Sequence, residues 1–158
     1  MEARFNVYGT EFGPKFGRKF SAAAQELTES SLPATVQALV KVRASQINGC
    51  SGCTDMHAKD ALAAGETQQR LNLIAAWRDA KVFTEAERAA LALTEQGTRL
   101  ADSAGVDDET WAAARKNFDD EELAALIALI GVINTFNRFN VIVRAPAGDY
   151  QPGMYGKG

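Results

Sequence analysis

Residues 31–65 read SLPATVQALVKVRASQINGCSGCTDMHAKDALAAG, and the way this stretch divides decides the class of the chain. Pro33 suits a first helical turn. Leu32, Val36, Leu39, Val40 and Ile47 keep mostly to the three-to-four spacing of one helix face. Asn48-Gly49 ends that helix, because both residue types tolerate the left-handed backbone that closes helices. A second helix begins around Cys50 and runs to Gly65, a suitable C-cap. In a thioredoxin-like protein the CxxC pair follows a strand. Here it follows a helix, so the pair belongs to a helix–turn–helix corner and the expected class is all-α.

The flanking sequence is punctuated in the same way. GRKFSAAAQELTES (17–30) precedes the corner, and TQQRLNLIAAWRDA (67–80) follows it with Thr67 as N-cap. Thr84 and Glu87 form a Thr-x-x-Glu capping box before the helix of residues 84–101. After the loop DSAGVDDE, residues 109–118 read as a short helix. Asp119 and Glu122 then cap LAALIALIGVINTFNRFNVIV (123–143), the longest apolar stretch, whose β-branched end leaves its terminus open. APAGDYQPGMYGKG (145–158) is an irregular Pro/Gly-rich tail. The expectation is one domain, a bundle of about seven helices over 1–158, with no repeat, linker or strand pair.

Composition narrows the function classes. At 158 residues, 46% apolar and 23% charged, the chain has the make-up of an ordinary globular protein. No apolar run is expected to reach the roughly 18–20 residues of a membrane span, and the N-terminus lacks a secretory apolar core. A cytoplasmic location follows as the expectation, a compartment in which two cysteines are catalytic or metal-binding more often than a permanent staple. With a net charge of −3 there is no footprint for nucleic acid. The cluster Lys15, Arg18, Lys19 reads as a solvated helix start, and no membrane partner is called for.

Both cysteines and the only histidine fall within eight residues, Cys50, Cys53 and His57. On a helix, Cys53 lies about 60° and His57 about 20° around the axis from Cys50, so all three share one stripe. Two thiols three residues apart can close a disulfide. Taking a free thiol from a few per cent to half ionised at neutral pH requires roughly 2 kcal/mol. A helix N-terminus supplies roughly 0.3–1 kcal/mol, up to about 2 when partly buried, and free backbone N–H groups or an imidazole add the rest. His57 can take or deliver a proton. Other readings of the same residues are a structural disulfide and a zinc site completed by Asp60 or water. A reducing compartment weighs against the first, and the lack of a second ligand cluster weighs against the second.

Taken together, RASQINGCSGCTDMHAKDALAAGET (43–67), LNLIAAWRDAKVFTEAERAALALTE (71–95) and INTFNRFNVIVRAPAGDY (133–150) resemble the alkylhydroperoxidase D-like branch of the carboxymuconolactone decarboxylase superfamily. The resemblance is strongest over residues 33–150 and rests on Arg43, Ser45, Asn48-Gly49-Cys50, Cys53 and His57. It implies an all-helical domain assembling into homotrimers or homohexamers, and a peroxidase-type enzyme that reduces hydroperoxides with a dithiol and no other cofactor. By position, Cys53 would attack the peroxide and become a sulfenic acid. Cys50 would supply a proton and then form a disulfide with Cys53, and His57 would relay protons. A lipoyl- or thioredoxin-type protein would restore the thiols. One departure stands out. The family's peroxidases carry a glutamate twelve residues before the first cysteine, and here that position is Ala38. Gln37 is about 100° away around the helix and is no direct replacement. The departure motivates a second reading, a redox-responsive oligomeric module with little turnover. A third is the decarboxylase that names the superfamily, against which the cysteine pair counts.

Among the remaining polar residues, Asp60 shares the stripe of His57 and is a candidate to orient it. Asn134, Asn137 and Arg138 line a pocket, cross a subunit interface, or form a buried hydrogen-bond network that fixes helix contacts. Arg43 is expected to pair with an acid on another helix, and Phe136 and Phe139 to lie in the core. Tyr8, Phe12 and Phe16 read as an arm for packing on a neighbouring subunit.

Overall fold

The computed structural model describes residues 2–154 and contains seven α-helices among them, with no strand. They are α1 (Phe12–Thr28), α2 (Ala34–Ile47), α3 (Ser51–Ala63), α4 (Gln68–Leu73), α5 (Glu85–Thr98), α6 (Asp108–Asn117) and α7 (Asp120–Val143). The all-α class is as expected. Both capping boxes form: Thr84 with Glu87 opens α5, and Asp119 with Glu122 opens α7.

α2 is the axis of the molecule, packed against α3, α5 and α7. Its Val36 and Val40 enter a core shared with Leu93 of α5, Phe118, and Leu126 and Leu129 of α7. Leu39 and Val42 enter a second core with Ile74, Trp77, Phe83 and Leu91. A helix buried on two faces cannot keep a polar side, which is why Gln37 and Ser45 are themselves buried. Each finds a backbone carbonyl: Gln37 Nε2 donates to Leu32 O at 2.8 Å and Ser45 Oγ to Lys41 O at 2.7 Å.

Several boundaries differ from the sequence reading. α1 starts at Phe12, not near Gly17, because Thr10 Oγ1 accepts from Gly13 N at 3.0 Å and caps the turn before it. The expected helix over 67–80 stops at Leu73 and tightens into a 3-10 turn, Ile74–Ala76. The carbonyls of Trp77, Arg78, Ala80 and Phe83 accept from the Arg88 guanidinium, and Trp77 O is shared with the turn N–H of Ala80. The β-branched end of α7 stays helical through Val143, since packing along a long helix outweighs a weak local preference. At 24 residues and mean hydropathy 1.6, α7 is long and apolar enough to cross a membrane by length and composition, which corrects the expectation that no such run exists. Leu123, Leu126, Leu129, Ile130 and Ile133 of that helix are core residues. The aromatic arm folds onto its own chain: Phe16 meets Phe139 at 5.4 Å and Phe20 meets Phe136 at 4.7 Å between ring centroids. Tyr8 and Phe12 remain exposed.

Glu95 of α5 ties the second core together. Arg43 Nε donates to it at 2.7 Å, Trp77 Nε1 at 3.0 Å, and Arg78 pairs with it at 2.6 Å. Burial alone would raise the Glu95 carboxyl, but the bonds from Trp77, Arg78 and Arg43 outweigh it and hold the group below its ordinary range. Glu95→Ala strands the largely buried Arg43 cation and is expected to cost about 3 kcal/mol. The check is urea unfolding, in which the midpoint falls while the slope stays constant.

Candidate functional site

The corner between α2 and α3 is built in three residues. Asn48 ends α2, Gly49 takes φ 66°, and Cys50 returns to extended backbone with φ −80° and ψ 94°. Gly49 N donates to Gln46 O at 3.2 Å and Cys50 N to Ser45 O at 3.0 Å, the paired bonds of a Schellman motif. Cys50 is therefore not in the helix but its N-cap, where serine or aspartate would be the common choice. Its Sγ accepts from the backbone N–H of Cys53 at 3.3 Å.

Cys50 and Cys53 are joined by a disulfide with Cα atoms 5.4 Å apart. Both are buried, at 2% and 1% exposure. Their surroundings differ. Cys50 Sγ faces a backbone amide in the first turn of α3, whereas Cys53 Sγ accepts from the side chain of Asn140, Nδ2 at 3.2 Å. Both donors are neutral, and either would stabilise a sulfur that gains negative charge on reduction.

His57 follows Cys53 by one turn. It makes no hydrogen bond to any described residue and keeps only a partly exposed edge. Burial pushes its pKa down to about 3, with the nearby Lys41 cation adding to the effect, so the imidazole is neutral at physiological pH. Lys41, from α2, is itself lowered by burial and partly restored by Asp60. Asp60 does not orient His57 by a hydrogen bond; its Oδ1 accepts from Tyr150 Oη at 2.7 Å. Ala38 packs at the edge of the second core. Among the described residues no group of three or more His, Cys, Asp or Glu assembles as a metal site.

The other candidates, Asn137 and Arg138, belong to a network that holds the corner. Asn48 Nδ2 donates to Asn134 Oδ1 and Asn137 Oδ1, both at 2.9 Å. Asn137 Nδ2 passes on to Ser45 Oγ at 3.1 Å, and Asn134 Nδ2 to Thr98 Oγ1 at 3.0 Å. Arg138 is exposed and donates back to Asn134.

The chain beyond α7 runs along the outer side of α3. Gly148 N donates to Asp55 Oδ2 at 3.0 Å, and Lys59 Nζ reaches the carbonyls of Gly148 and Tyr150 at 3.2 and 2.9 Å. Gly52 permits the approach, since a Cβ there would stand 3.2 Å from Pro146 O. Sequence reasoning missed Lys41, Tyr150 and above all Asn140. The last was visible as the next step of the three-residue spacing Asn134, Asn137, Asn140.

A cavity of about 270 Å³ lies between the N-terminal arm with α1 and the end of α7. Phe16, Phe20, Phe136, Phe139 and Asn140 are among its lining residues, and Asn137 and Arg138 are not. The sulfurs do not line it either; Asn140 stands between its wall and Cys53.

Known proteins resemble this chain in sequence and fold. The model of the carboxymuconolactone decarboxylase family matches residues 14–96, from within α1 to within α5. The uncharacterized protein YdfG of Bacillus subtilis is 38% identical over 128 residues, 80% of this chain and 84% of that protein. A crystal structure of a protein of unknown function from Agrobacterium tumefaciens, described as a putative antioxidant defence protein AhpD, superposes with a TM-score of 0.87 at 33% identity, over 94% of this chain and all (100%) of that one. An uncharacterized peroxidase-related protein of Ralstonia eutropha, at 19% identity and TM-score 0.74 over 86% of this chain and 72% of that one, shares the fold. The chain belongs to the carboxymuconolactone decarboxylase family, with the fold of its AhpD-like, peroxidase-related members.

Proposed function

We propose that the protein is a dithiol oxidoreductase that reduces hydroperoxides. The observation that carries this reading is the Cys50–Cys53 pair closed across the first turn of α3, with each sulfur held by a neutral N–H donor. In the reduced protein, Cys53 as thiolate attacks the outer peroxide oxygen. The O–O bond breaks, Cys53 becomes a sulfenic acid, and the departing alkoxide takes a proton from the Cys50 thiol. Cys50 sulfur then attacks the Cys53 sulfur and expels hydroxide, which leaves as water. The sum is one hydroperoxide and two thiols consumed, one alcohol, one water and one disulfide formed. An external dithiol of the lipoyl or thioredoxin type restores the thiols by exchange. The proton that Cys53 loses as it ionises passes to solvent and is returned to the expelled hydroxide; His57, one turn on, is the side chain placed to relay it.

A second reading, a redox-responsive module with low turnover, is favoured by two observations. Ala38 offers no carboxylate to His57, and both sulfurs are buried. The two readings part on rate. With a small dithiol present, peroxide consumption by the wild type and its loss by at least 100-fold in Cys53→Ser supports the enzyme. Disulfide formation without turnover, accompanied by a change of particle size on reduction in light scattering, supports the module instead.

The neutral imidazole has a separate consequence for stability. The folded pKa of His57 is about 3, below the value near 6.5 of the unfolded chain, so the unfolded form takes up the proton first. Stability is therefore full above about pH 6.5 and falls as pH drops from there toward 3. His57 is the only histidine, and the lowered carboxyls of Glu87 and Glu95 act only below their ordinary range. The urea midpoint is expected to fall between pH 7.5 and 5, and His57→Gln to flatten that slope.

A further inference from the structure

We propose that the cavity between α1 and α7 is a binding site for a small neutral aromatic molecule carrying one O–H or N–H donor, a phenol or an indole by class. The lining argues for rings. Phe16 and Phe139 meet at 5.4 Å with their planes 43° apart, and Phe20 and Phe136 at 4.7 Å and 59°. These tilted walls present ring edges and faces to a guest ring, the arrangement aromatic pairs prefer. The volume argues for size. A dry apolar cavity of about 150 Å³ takes up benzene, and about 270 Å³ leaves room for one substituted ring or a fused pair.

Charge argues for neutrality. None of the residues lining the cavity is an Asp, Glu, Lys, Arg or His. An ionised guest would lose its hydration with no counter-charge to replace it. The polar handle is Asn140. Its Nδ2 is engaged by Cys53 Sγ, while its Oδ1 accepts from no described residue. No buried side-chain oxygen or nitrogen is left unpartnered among the described residues, so this oxygen is open to a molecule that enters. A donor on the guest satisfies it, which is the pairing a mostly apolar pocket uses to orient its ligand.

The site stands whether or not the dithiol turns over, yet it places the guest one carboxamide away from Cys53. A guest that donates to Asn140 Oδ1 polarises the same amide whose N–H faces the sulfur.

The test is an NMR titration of the disulfide form with 4-ethylphenol, beside ethylbenzene, which matches its shape without the hydroxyl. The expected result is saturable shifts of Phe136, Phe139 and the Asn140 side-chain amide, with ethylbenzene about fivefold weaker. Asn140→Ala brings the two ligands to equal affinity. Val143→Phe, which narrows the cavity, weakens both at least tenfold. Shifts absent up to millimolar 4-ethylphenol overturn the proposal, and the wild type alone is enough to show it. Equal affinity of the two ligands in the wild type overturns it as well. So does binding that disappears as the protein is concentrated, because the cavity would then be covered by a second copy of the chain. Peroxide turnover of the wild type, measured beside the titration, separates this site from the redox reading. Retained 4-ethylphenol binding in a wild type with no peroxide turnover rejects only the redox reading, and turnover with no binding rejects only the cavity.

Discussion

The carboxamide of Asn48 is the contact on which the site depends. It lies in the three residues where α2 stops and α3 begins, and its single NH₂ group spans the gap to Asn134 and Asn137 of α7. Without it the turn itself would rest on the backbone bonds of Gly49 and Cys50, and the first turn of α3 would lose one of its ties to α7. With it, the turn carrying both sulfurs is tied to the longest helix of the molecule. Asn140, three residues further along that helix, then meets Cys53 at hydrogen-bond distance. Register along α7 thus sets the environment of a sulfur on α3.

The hydrogen-bond donors that face the two sulfurs are neutral, while Arg138 brings a charge to the outer end of the carboxamide network at Asn134. The more buried salt bridges lie elsewhere, among them Glu95 with Arg43 and Glu87 with Arg70, and α3 carries the more open pair Asp55–Lys59. The sulfurs meet amide donors, and the imidazole one turn on is held neutral by its burial and by Lys41. In such surroundings a thiolate would be the principal local charge on α3's first turn, stabilised by the helix N-terminus and by the one N–H dipole that faces that sulfur. Lys41 sits on the helix that carries Ala38, three residues on, and brings a positive charge near the imidazole.

The fold is legible in the sequence because its signals are local. Asn48-Gly49, Gly65 and the two capping boxes punctuate helices through bonds that span three or four residues, so neighbouring letters carry the whole signal. The CxxC pair and His57 are legible for the same reason, being close in sequence. What escapes is whatever needs two distant segments to meet. Asp60 has an obvious neighbour in His57 but turns to Tyr150, ninety residues away. Asn140 has no visible purpose until α7 lies against α3. The early end of α4 comes from Arg88, a side chain reaching back to carbonyls eleven residues earlier and fewer. Conversely, Arg43 calls for an acidic partner on another helix, and Glu95 is that partner, since a cation in an apolar helix has few ways to be buried.

The sulfur cap on α3 links helix stability to electron affinity. In the disulfide, Cys50 Sγ accepts the Cys53 N–H as a neutral atom; once reduced and ionised, it would accept the same bond carrying a full charge at the positive end of the helix. Whatever strengthens that terminus favours the dithiol over the disulfide, and by linkage makes the couple more oxidising. Residues of the α2–α3 corner that touch neither sulfur can in this way tune how avidly the pair takes up two electrons.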